Sequence, residues 1–127
     1  MREISKANAL GLVILTVLFT AYGQVIAKWR VRQAGFLPAD FSQKLIFLTR
    51  LLLDPWVISG MMAAFVAGIL WLSALTKLEL SYAYPFMSLA FVLVLILSAI
   101  LFHEAVTVPK VLGVGLVVAG IIVASRG

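Results

Sequence analysis

Four long runs of apolar residues, separated by short or basic connectors, constrain the fold of this chain more than any other feature. They cover about residues 7–28, 56–76, 80–102 and 108–124. An α-helix rises 1.5 Å per residue, so about 20 residues cross the ~30 Å hydrocarbon core of a bilayer. The first three runs reach that length, and the fourth is slightly short. The sequence therefore predicts four transmembrane helices.

The connectors between the later runs are short. The second and third runs are joined by Lys77-Leu78-Glu79, and the third and fourth by residues 103–107. Helices joined by so few residues lie antiparallel to one another, and each helix satisfies its own backbone hydrogen bonds in lipid. We therefore expect an all-α membrane protein, with a single transmembrane domain over residues 1–127 folded as an antiparallel four-helix bundle.

The first run also has one feature of a cleaved signal peptide, because Arg2 and Lys6 precede it. Its apolar stretch is too long for such a peptide, however, and it ends in Lys28-Trp29-Arg30 rather than in a small-residue cleavage site. We interpret this run as a retained helix.

The composition limits the functions open to the chain. Hydrophobic residues make up 64% and charged residues 12%, which is too little charge to cover a soluble domain. The chain has no cysteine, one histidine, no glycine-rich phosphate loop and no carboxylate pair spaced for acid–base work. We expect no enzyme activity, cofactor or metal. The net charge is +5, and the basic residues that produce it lie between the apolar runs. Basic residues in such positions favour lipid phosphates over nucleic acid as the partner.

The distribution of basic residues leaves the membrane orientation open, as single or dual topology. The side that carries both termini has Arg2, Lys6, Lys77 and Arg126, and the opposite side has Lys28, Arg30, Arg32, Lys44, Arg50 and Lys110. The excess of basic residues on the side opposite the termini favours that side as cytoplasmic. Three of its charges, however, lie far along one connector.

The long connector between the first and second runs contains a second kind of helix. Asp40 is a plausible N-cap, and it is followed by an apolar stripe at helical spacing, formed by Phe41, Leu45, Leu48 and Leu52. The pattern predicts an interfacial amphipathic helix over about residues 41–53. The alternative, an extension of the second span, is disfavoured because Asp54-Pro55 should stop a helix.

Polar groups at two places in the spans are candidates for ligand binding. In the third span, Pro85 crowds the carbonyl of Ser81 and predicts a kink near it, and Tyr84 and Ser88 share a face one turn apart. An interfacial aromatic belt is the alternative explanation for Tyr84.

The end of the first span is the other candidate. Gln24 and Lys28 share a face there, with Thr20 deeper in the membrane. Lys28 either binds a phosphate or anchors the helix at headgroup level.

Small residues indicate where helices meet, because they let backbones approach closely in lipid. In the fourth run, Gly113 and Gly120 lie seven residues apart, and we expect them at a dimer interface. In the second run, Gly60, Ala64 and Gly68 recur every four residues, with Ala63 and Ala67 beside them, and we expect internal packing there.

Several of these features together resemble the drug/metabolite transporter superfamily in its four-helix form, including the small multidrug resistance proteins. The resemblance covers nearly the whole chain. It is carried by Gly23-Gln24 followed by Lys28, by Ala83-Tyr84 followed by Ser88, and by Gly113 and Gly120. Thr20 stands where the small multidrug exporters carry a glutamate.

The chain more specifically resembles the EamA-like subset that includes the two small subunits of the aminoarabinose–undecaprenyl phosphate flippase. The matching residues are Gly23-Gln24 with Lys28, Ala83-Tyr84-Pro85 with Ser88-Leu89, Phe91-Val92 and His103-Glu104. This resemblance implies that homodimers or heterodimers move polyprenyl-phosphate-linked sugars across the bacterial inner membrane.

The leading hypothesis is therefore a subunit of a lipid-linked sugar translocator. A dimer would form a lateral groove lined by the first three spans, in which Lys28, with Arg30 or Arg32, would hold the lipid phosphate. The candidate walls of this groove, for isoprenoid or sugar rings, are Trp71, Phe86 and Phe91. The candidate substrate-binding residues are Lys28, Gln24, Tyr84, Ser88, Thr20, Trp71 and Arg30. A first alternative is a transporter of a small metabolite or cation, in which Glu79 or Glu104 couples ions. A second is a scaffold that positions a membrane glycosyltransferase without transporting anything.

Overall fold

The regular structure within the described residues, 5–127, is entirely α-helical in the computed structural model. Arg2 lies outside the described residues, and the side chain of Lys6 is not described. The finding confirms the all-α prediction. The helices are α1 (Lys6–Ala34), α2 (Phe41–Leu52), α3 (Pro55–Leu75), α4 (Leu80–Met87), α5 (Leu89–Leu101) and α6 (Val108–Ala124).

Among residues 5–127, three helical segments are long and apolar enough to cross a membrane. They are Ala7–Ala34, Pro55–Leu75 and Leu80–Leu101, of which the last combines α4 and α5. The helix Val108–Ala124 is apolar but shorter, at 17 residues.

Helix α1 extends beyond the apolar run that predicted it. The prediction ended at about residue 28, whereas the helix continues to Ala34. Gly35 ends it with a φ of 93°, a backbone conformation that glycine adopts without strain, and its N–H donates to the carbonyl of Val31. Arg32 lies in the last turn, where a cation is favourable. At this end of the span the helix therefore continues beyond the apolar residues.

The central contact of the fold is between α1 and α3, which pack together more extensively than any other pair of described helices. They cross where Gly23 meets Gly60: a Cβ on Gly23 would lie 3.1 Å from the carbonyl oxygen of Gly60. Ala63 and Ala67 continue the buried face of α3. Small side chains therefore set the distance between these two helices.

The predicted glycine–alanine seam of the second run is only partly the packing face. Gly60 is buried, but Ala64 and Gly68 are exposed, and a Cβ on Gly68 would meet no atom within 4 Å. The buried face follows steps of three and four residues, from Gly60 to the two neighbouring alanines of the prediction, Ala63 and Ala67. A strict four-residue step drifts around the helix surface, because one turn contains 3.6 residues.

Helix α2 contributes no buried residue, and most of its apolar side chains are exposed. Asp40 caps its start by accepting a hydrogen bond from the N–H of Gln43 at 3.3 Å. Asp54 caps α3 in the same way, accepting from the N–H groups of Trp56 and Val57 at 2.9 and 3.3 Å. Pro55 follows Asp54 in the first turn of α3, a position that proline tolerates.

The third span is interrupted at Ser88 rather than near Ser81, where the sequence predicted the kink. The N–H of Ser88 donates to the carbonyl of Pro85, and the N–H of Phe91 donates to the carbonyl of Ser88, both at 3.0 Å. Both bonds span three residues instead of four, so the helix tightens one turn after Pro85. The helix passes through Pro85 itself without a break.

Candidate functional site

A track of polar side chains runs along one side of α1 toward its C-terminal end. Gln24 and Lys28 are exposed and one turn apart, and Thr20, a turn earlier, is half-buried. The ammonium nitrogen of Lys28 lies 3.7 Å from Oε1 of Glu104, in the loop between α5 and α6. The two side chains remain 50% and 40% exposed, so the ion pair is weak and open to exchange.

The loop after α5 turns back onto α1. His103 adopts a φ of 53°, and the N–H of Glu104 reaches the carbonyl of Ser98 at 3.3 Å. Arg32, one turn beyond Lys28 on the same side of α1, donates to the carbonyl of Phe102 at 3.3 Å. Its guanidinium also lies 5.4 Å from the centre of the Phe102 ring. Two cations of α1 therefore face this loop.

Arg30 points to a different neighbour. Its Nε and Nη2 donate to Oδ2 of Asp54 at 3.0 and 2.7 Å, and its Nη1 bonds the side chain of Gln33. The guanidinium also lies 5.0 Å from the Trp29 ring centre. Arg30 thus ties the end of α1 to the start of α3 and does not lie beside Lys28.

This ion pair changes the acidity of Asp54. Burial raises the pKa of the Asp54 carboxyl, but its hydrogen bonds with Arg30 and with two backbone N–H groups, together with the guanidinium charge, outweigh that effect. The net result is a pKa below the ordinary value of 3.8. Asp54 is therefore a charged cap at neutral pH.

The polar groups of the third span lie toward the other end of the bundle. Trp71 and Tyr84 make an edge-on ring contact, with centroids 6.2 Å apart, and Tyr84 is 65% exposed. Ser88 is half-buried at the interruption after Pro85. At 1.5 Å per residue, Ser88 is about 20 Å along the helix axis from the end of α5, where Glu104 meets Lys28. The structure therefore groups Lys28, Gln24 and Glu104 but separates them from Trp71 and Tyr84.

The remaining aromatic candidates lie around the same interruption. Phe86 is half-buried, and its ring lies 5.4 Å from that of Tyr82; it packs against the buried cluster formed by Ala9, Val13, Ala74, Leu78 and Ala83. Phe91 is 53% exposed on α5. Glu79 immediately precedes α4 and is exposed, beside a groove of ≈ 280 Å³ that also involves Lys77 and Tyr82. Within residues 5–127, no group of three or more histidine or acidic side chains could hold a metal ion.

The glycines predicted for a dimer interface face open space. A Cβ on Gly113 or on Gly120 would meet no atom within 4 Å. Helix α6 contacts only α4 and α5 among the described helices, and Ile121 is its one buried residue. Most of the surface of α6 is therefore uncovered.

Sequence reasoning missed the pairing of Arg30 with Asp54 and the crossing of Gly23 with Gly60. A usable signal existed for the first pair. Asp54 is the acidic residue directly before the second span, and a basic group ends the first span, so the two helix ends could be expected to attract. For the crossing, Ala27 lies four residues after Gly23, and this spacing of small residues could have indicated a packing face on the first span.

Comparison with known proteins identifies the family. Residues 7–126 match the model of the EamA-like transporter family. The chain is 36% identical to the probable 4-amino-4-deoxy-L-arabinose-phosphoundecaprenol flippase subunit ArnE of Aeromonas salmonicida (strain A449), over 86% of this chain and 90% of that protein. It is 32% identical to the protein of the same name from Pseudomonas aeruginosa (strain UCBPP-PA14), over 91% of this chain and 95% of the relative.

No solved structure matches the chain. The family match covers almost the whole chain and agrees with the three apolar segments long enough to cross a membrane. The chain is therefore a multi-pass membrane protein that belongs to the EamA-like transporter family.

Proposed function

We propose that this chain is a subunit of a transporter that moves a polyprenyl-phosphate-linked sugar across the bacterial inner membrane. It works as a dimer, with an identical or a similar small subunit. Residues 1–127 form one transmembrane domain, in which α1, α3, the α4–α5 segment and α6 each cross the membrane in alternating directions. Helix α2 lies along the membrane surface, with its exposed apolar residues in the lipid.

One observation carries the substrate class. The relatives that match over 90% or more of their own length are named as flippase subunits for an aminoarabinose carried on phosphoundecaprenol. Such a substrate combines a sugar, a phosphate and a long apolar chain. A binding protein for it needs a cation at headgroup depth, hydrogen-bonding groups deeper in the membrane and an opening to the lipid.

Lys28 is the phosphate-binding residue of this proposal. Its charge sits near the end of an apolar span, and its only ion-pair partner in the described part of the chain is Glu104, at 3.7 Å. A phosphate group can replace that carboxylate, because both partners are accessible and the pair is weak. Arg32 lies one turn away on the same side and adds a second cation.

Polar side chains continue from Lys28 toward the other membrane surface. Gln24 and Thr20 follow at about 6 Å intervals along α1, and Ser88 and Tyr84 lie in the opposite half of the bundle. Because Ser88 is about 20 Å from the level of Lys28, it does not bind the same headgroup at the same time. These residues therefore act as successive positions for the sugar during translocation.

The uncovered surface of α5 and α6 is an argument that a second subunit packs there. Helix α5 has no buried residue, and α6 contacts only α4 and α5 among the described helices. Four helices enclose too little volume for a sugar. A second copy packed along Gly113 and Gly120 would complete the lateral groove that the dimer forms for the substrate. Glycine at both positions lets another helix approach closely.

Transport by reconstituted protein tests this function. Vesicles containing the purified protein are loaded with a short-chain polyprenyl-phosphate sugar, and its appearance in the opposite leaflet is followed. We expect wild-type protein to accelerate this step, and Lys28→Ala to abolish the acceleration. Lys110→Ala is the matched control, since the ammonium group of Lys110 bonds the loop carbonyl of Ala105 and has no carboxylate partner within residues 5–127. Equal rates with and without wild-type protein would refute the proposed transport.

A further inference from the structure

The outer side of the α1–α3 pair carries groups that the transport proposal does not use. An apolar groove of ≈ 590 Å³ lies between the two helices, and its walls include Leu15, Leu18, Phe19, Met62, Ala63 and Val66. Leu18 is 50% and Met62 is 64% exposed, so the groove opens to the surroundings of the bundle. In a membrane, those surroundings are lipid chains.

A pair of hydroxyl groups closes one end of this groove. The hydroxyl oxygens of Tyr22 and Ser59 are 3.0 Å apart, and Ser59 donates to the carbonyl of Trp56 at 2.6 Å. The proton of Ser59 is therefore engaged, so Tyr22 donates to Ser59. The end of the groove is polar but has satisfied hydrogen bonds.

An aromatic layer follows in the direction of the α1 C-terminus. Trp29 is two turns beyond Tyr22, and Trp56 is one turn before Ser59, so each shares a side with the groove. The two indoles make an edge-on contact, with ring centroids 5.5 Å apart. Such rings favour the boundary between hydrocarbon and headgroups.

Beyond the indoles lies a cationic cavity of ≈ 510 Å³ between α1, α2 and the start of α3. Its walls include Arg30, Gln33, Gln43, Arg50 and Asp54. Asp54 neutralises Arg30, whereas Arg50 makes no ion pair or hydrogen bond within residues 5–127. The cavity thus has a net positive charge and one unpaired guanidinium.

The length of this groove and cavity along α1 matches the thickness of one membrane leaflet. Leu15 and Arg30 are 15 residues apart on α1, which is about 22 Å along the axis. Half of a ~30 Å hydrocarbon core plus one headgroup layer has about the same thickness. The arrangement also lies away from Lys28, because Tyr22 and Gln24 are two residues apart and project about 200° apart around α1.

We propose that this side of the α1–α3 pair binds one anionic glycerophospholipid. The headgroup phosphate occupies the cavity, where Arg50 pairs with it and Gln33 and Gln43 donate hydrogen bonds. One acyl chain passes the indole pair and fills the apolar groove. Charge complementarity selects an anionic headgroup over a zwitterionic one. The bound lipid would hold α2 against the α1–α3 pair, where few protein contacts do so.

Native mass spectrometry with a defined lipid tests this site. The delipidated full-length protein is titrated with dioleoylphosphatidylglycerol, and separately with dioleoylphosphatidylcholine. We expect one phosphatidylglycerol per chain at saturation, and weaker retention of phosphatidylcholine. Arg50→Gln should weaken phosphatidylglycerol binding about tenfold, the loss of one charged hydrogen bond. Leu18→Trp should weaken it by filling the groove.

Two matched controls separate this site from the transport site. Lys28→Gln removes a cation from the opposite side of α1, and Leu116→Trp enlarges an exposed side chain on α6. Both should bind phosphatidylglycerol like the wild type. The proposal is overturned if Arg50→Gln and Leu18→Trp bind normally, if the two lipids bind equally, or if added polyprenyl phosphate displaces the phosphatidylglycerol. The Lys28 variants test transport independently of these results.

Discussion

The ammonium nitrogen of Lys28 lies 3.7 Å from a carboxylate oxygen of Glu104, and this contact joins the last turns of α1 to the loop between α5 and α6. The proposed phosphate site is thus occupied by a carboxylate when no phosphate is bound. Substrate binding would release the loop from α1. The pair would therefore couple substrate binding to the position of α6, the helix that follows this loop.

Glu104→Gln should strengthen binding of a polyprenyl phosphate. The amide keeps the size of the side chain but no longer competes for the charge of Lys28, so we expect an affinity gain of a few-fold, as befits a partly exposed ion pair. The affinity is measured by titration of the purified protein. Glu79→Gln, a carboxylate at the far end of the bundle, should leave it unchanged. Weaker binding by Glu104→Gln would contradict the competition.

Gly23→Val should destabilise the protein, because its side chain would enter the crossing with α3. A Cβ alone would lie 3.1 Å from the carbonyl oxygen of Gly60, so the helices must move apart. Overpacking of this kind costs about 1–3 kcal/mol, and we expect a fall of about 5 °C or more in the Tm of the detergent-solubilised protein. The control is Gly68→Val, which meets open space and should change Tm little. Equal shifts for both variants would argue against this crossing.

Asp54 should make stability depend on pH in the acid range. Its pKa is lower in the folded protein than its ordinary value of 3.8. The ionised form therefore stabilises the fold above that value, and this contribution is lost as the pH falls through the folded pKa. Asp54→Asn keeps a capping side chain but loses the charge.

Thermal unfolding from pH 7 to pH 3 measures the effect of Asp54. The wild type should be more stable than Asp54→Asn at pH 7, and the difference should shrink below about pH 3.8. Asp40→Asn serves as the comparison, because Asp40 caps α2 and has no ion pair within the described residues. A constant difference across the pH range would show that the charge of Asp54 does not stabilise the fold.

Gly120→Leu should prevent dimer formation while preserving the fold of the monomer. The side chain has room in the single chain, where no atom lies within 4 Å of a Cβ at this position, but it would separate two helices packed through Gly113 and Gly120. Gly115→Leu is the control, since Gly115 lies on another side of α6 and also faces open space. Light scattering gives the mass of each variant. A dimer of Gly120→Leu would place the interface elsewhere.

The sequence predicted the helices well and their contacts poorly, for a physical reason. Apolar runs and caps such as Asp40 are local signals, so the positions of α2, α3 and α6 could be predicted to within a few residues. The end of α1 was missed because its last turns are polar and extend past the hydrophobic run to Gly35. Hydrophobicity predicts where a chain lies in a membrane, not where a helix ends.

Contacts between helices depend on how the helices are rotated, which a single sequence does not specify. Ala64 and Gly68 looked equivalent to Gly60, yet only Gly60 meets α1. Lys28 lies near the end of α1 and Tyr84 near the middle of α4, so their shared role in substrate binding stays a prediction. Arg30 and Lys28 are two residues apart, and so they project to different neighbours. The packing face of α3 was therefore predicted only in part, because local sequence does not specify the rotation of a helix against its neighbours.

Native mass spectrometry of the gently purified protein with added polyprenyl phosphate tests the central claim most directly, because one spectrum gives the oligomer mass and the bound lipid. We predict a dimer that retains the polyprenyl phosphate, and a Lys28→Ala dimer that loses it, with Lys110→Ala behaving like the wild type. A wild-type dimer that retains no polyprenyl phosphate, or a Lys28→Ala dimer that retains as much as the wild type, would contradict the account.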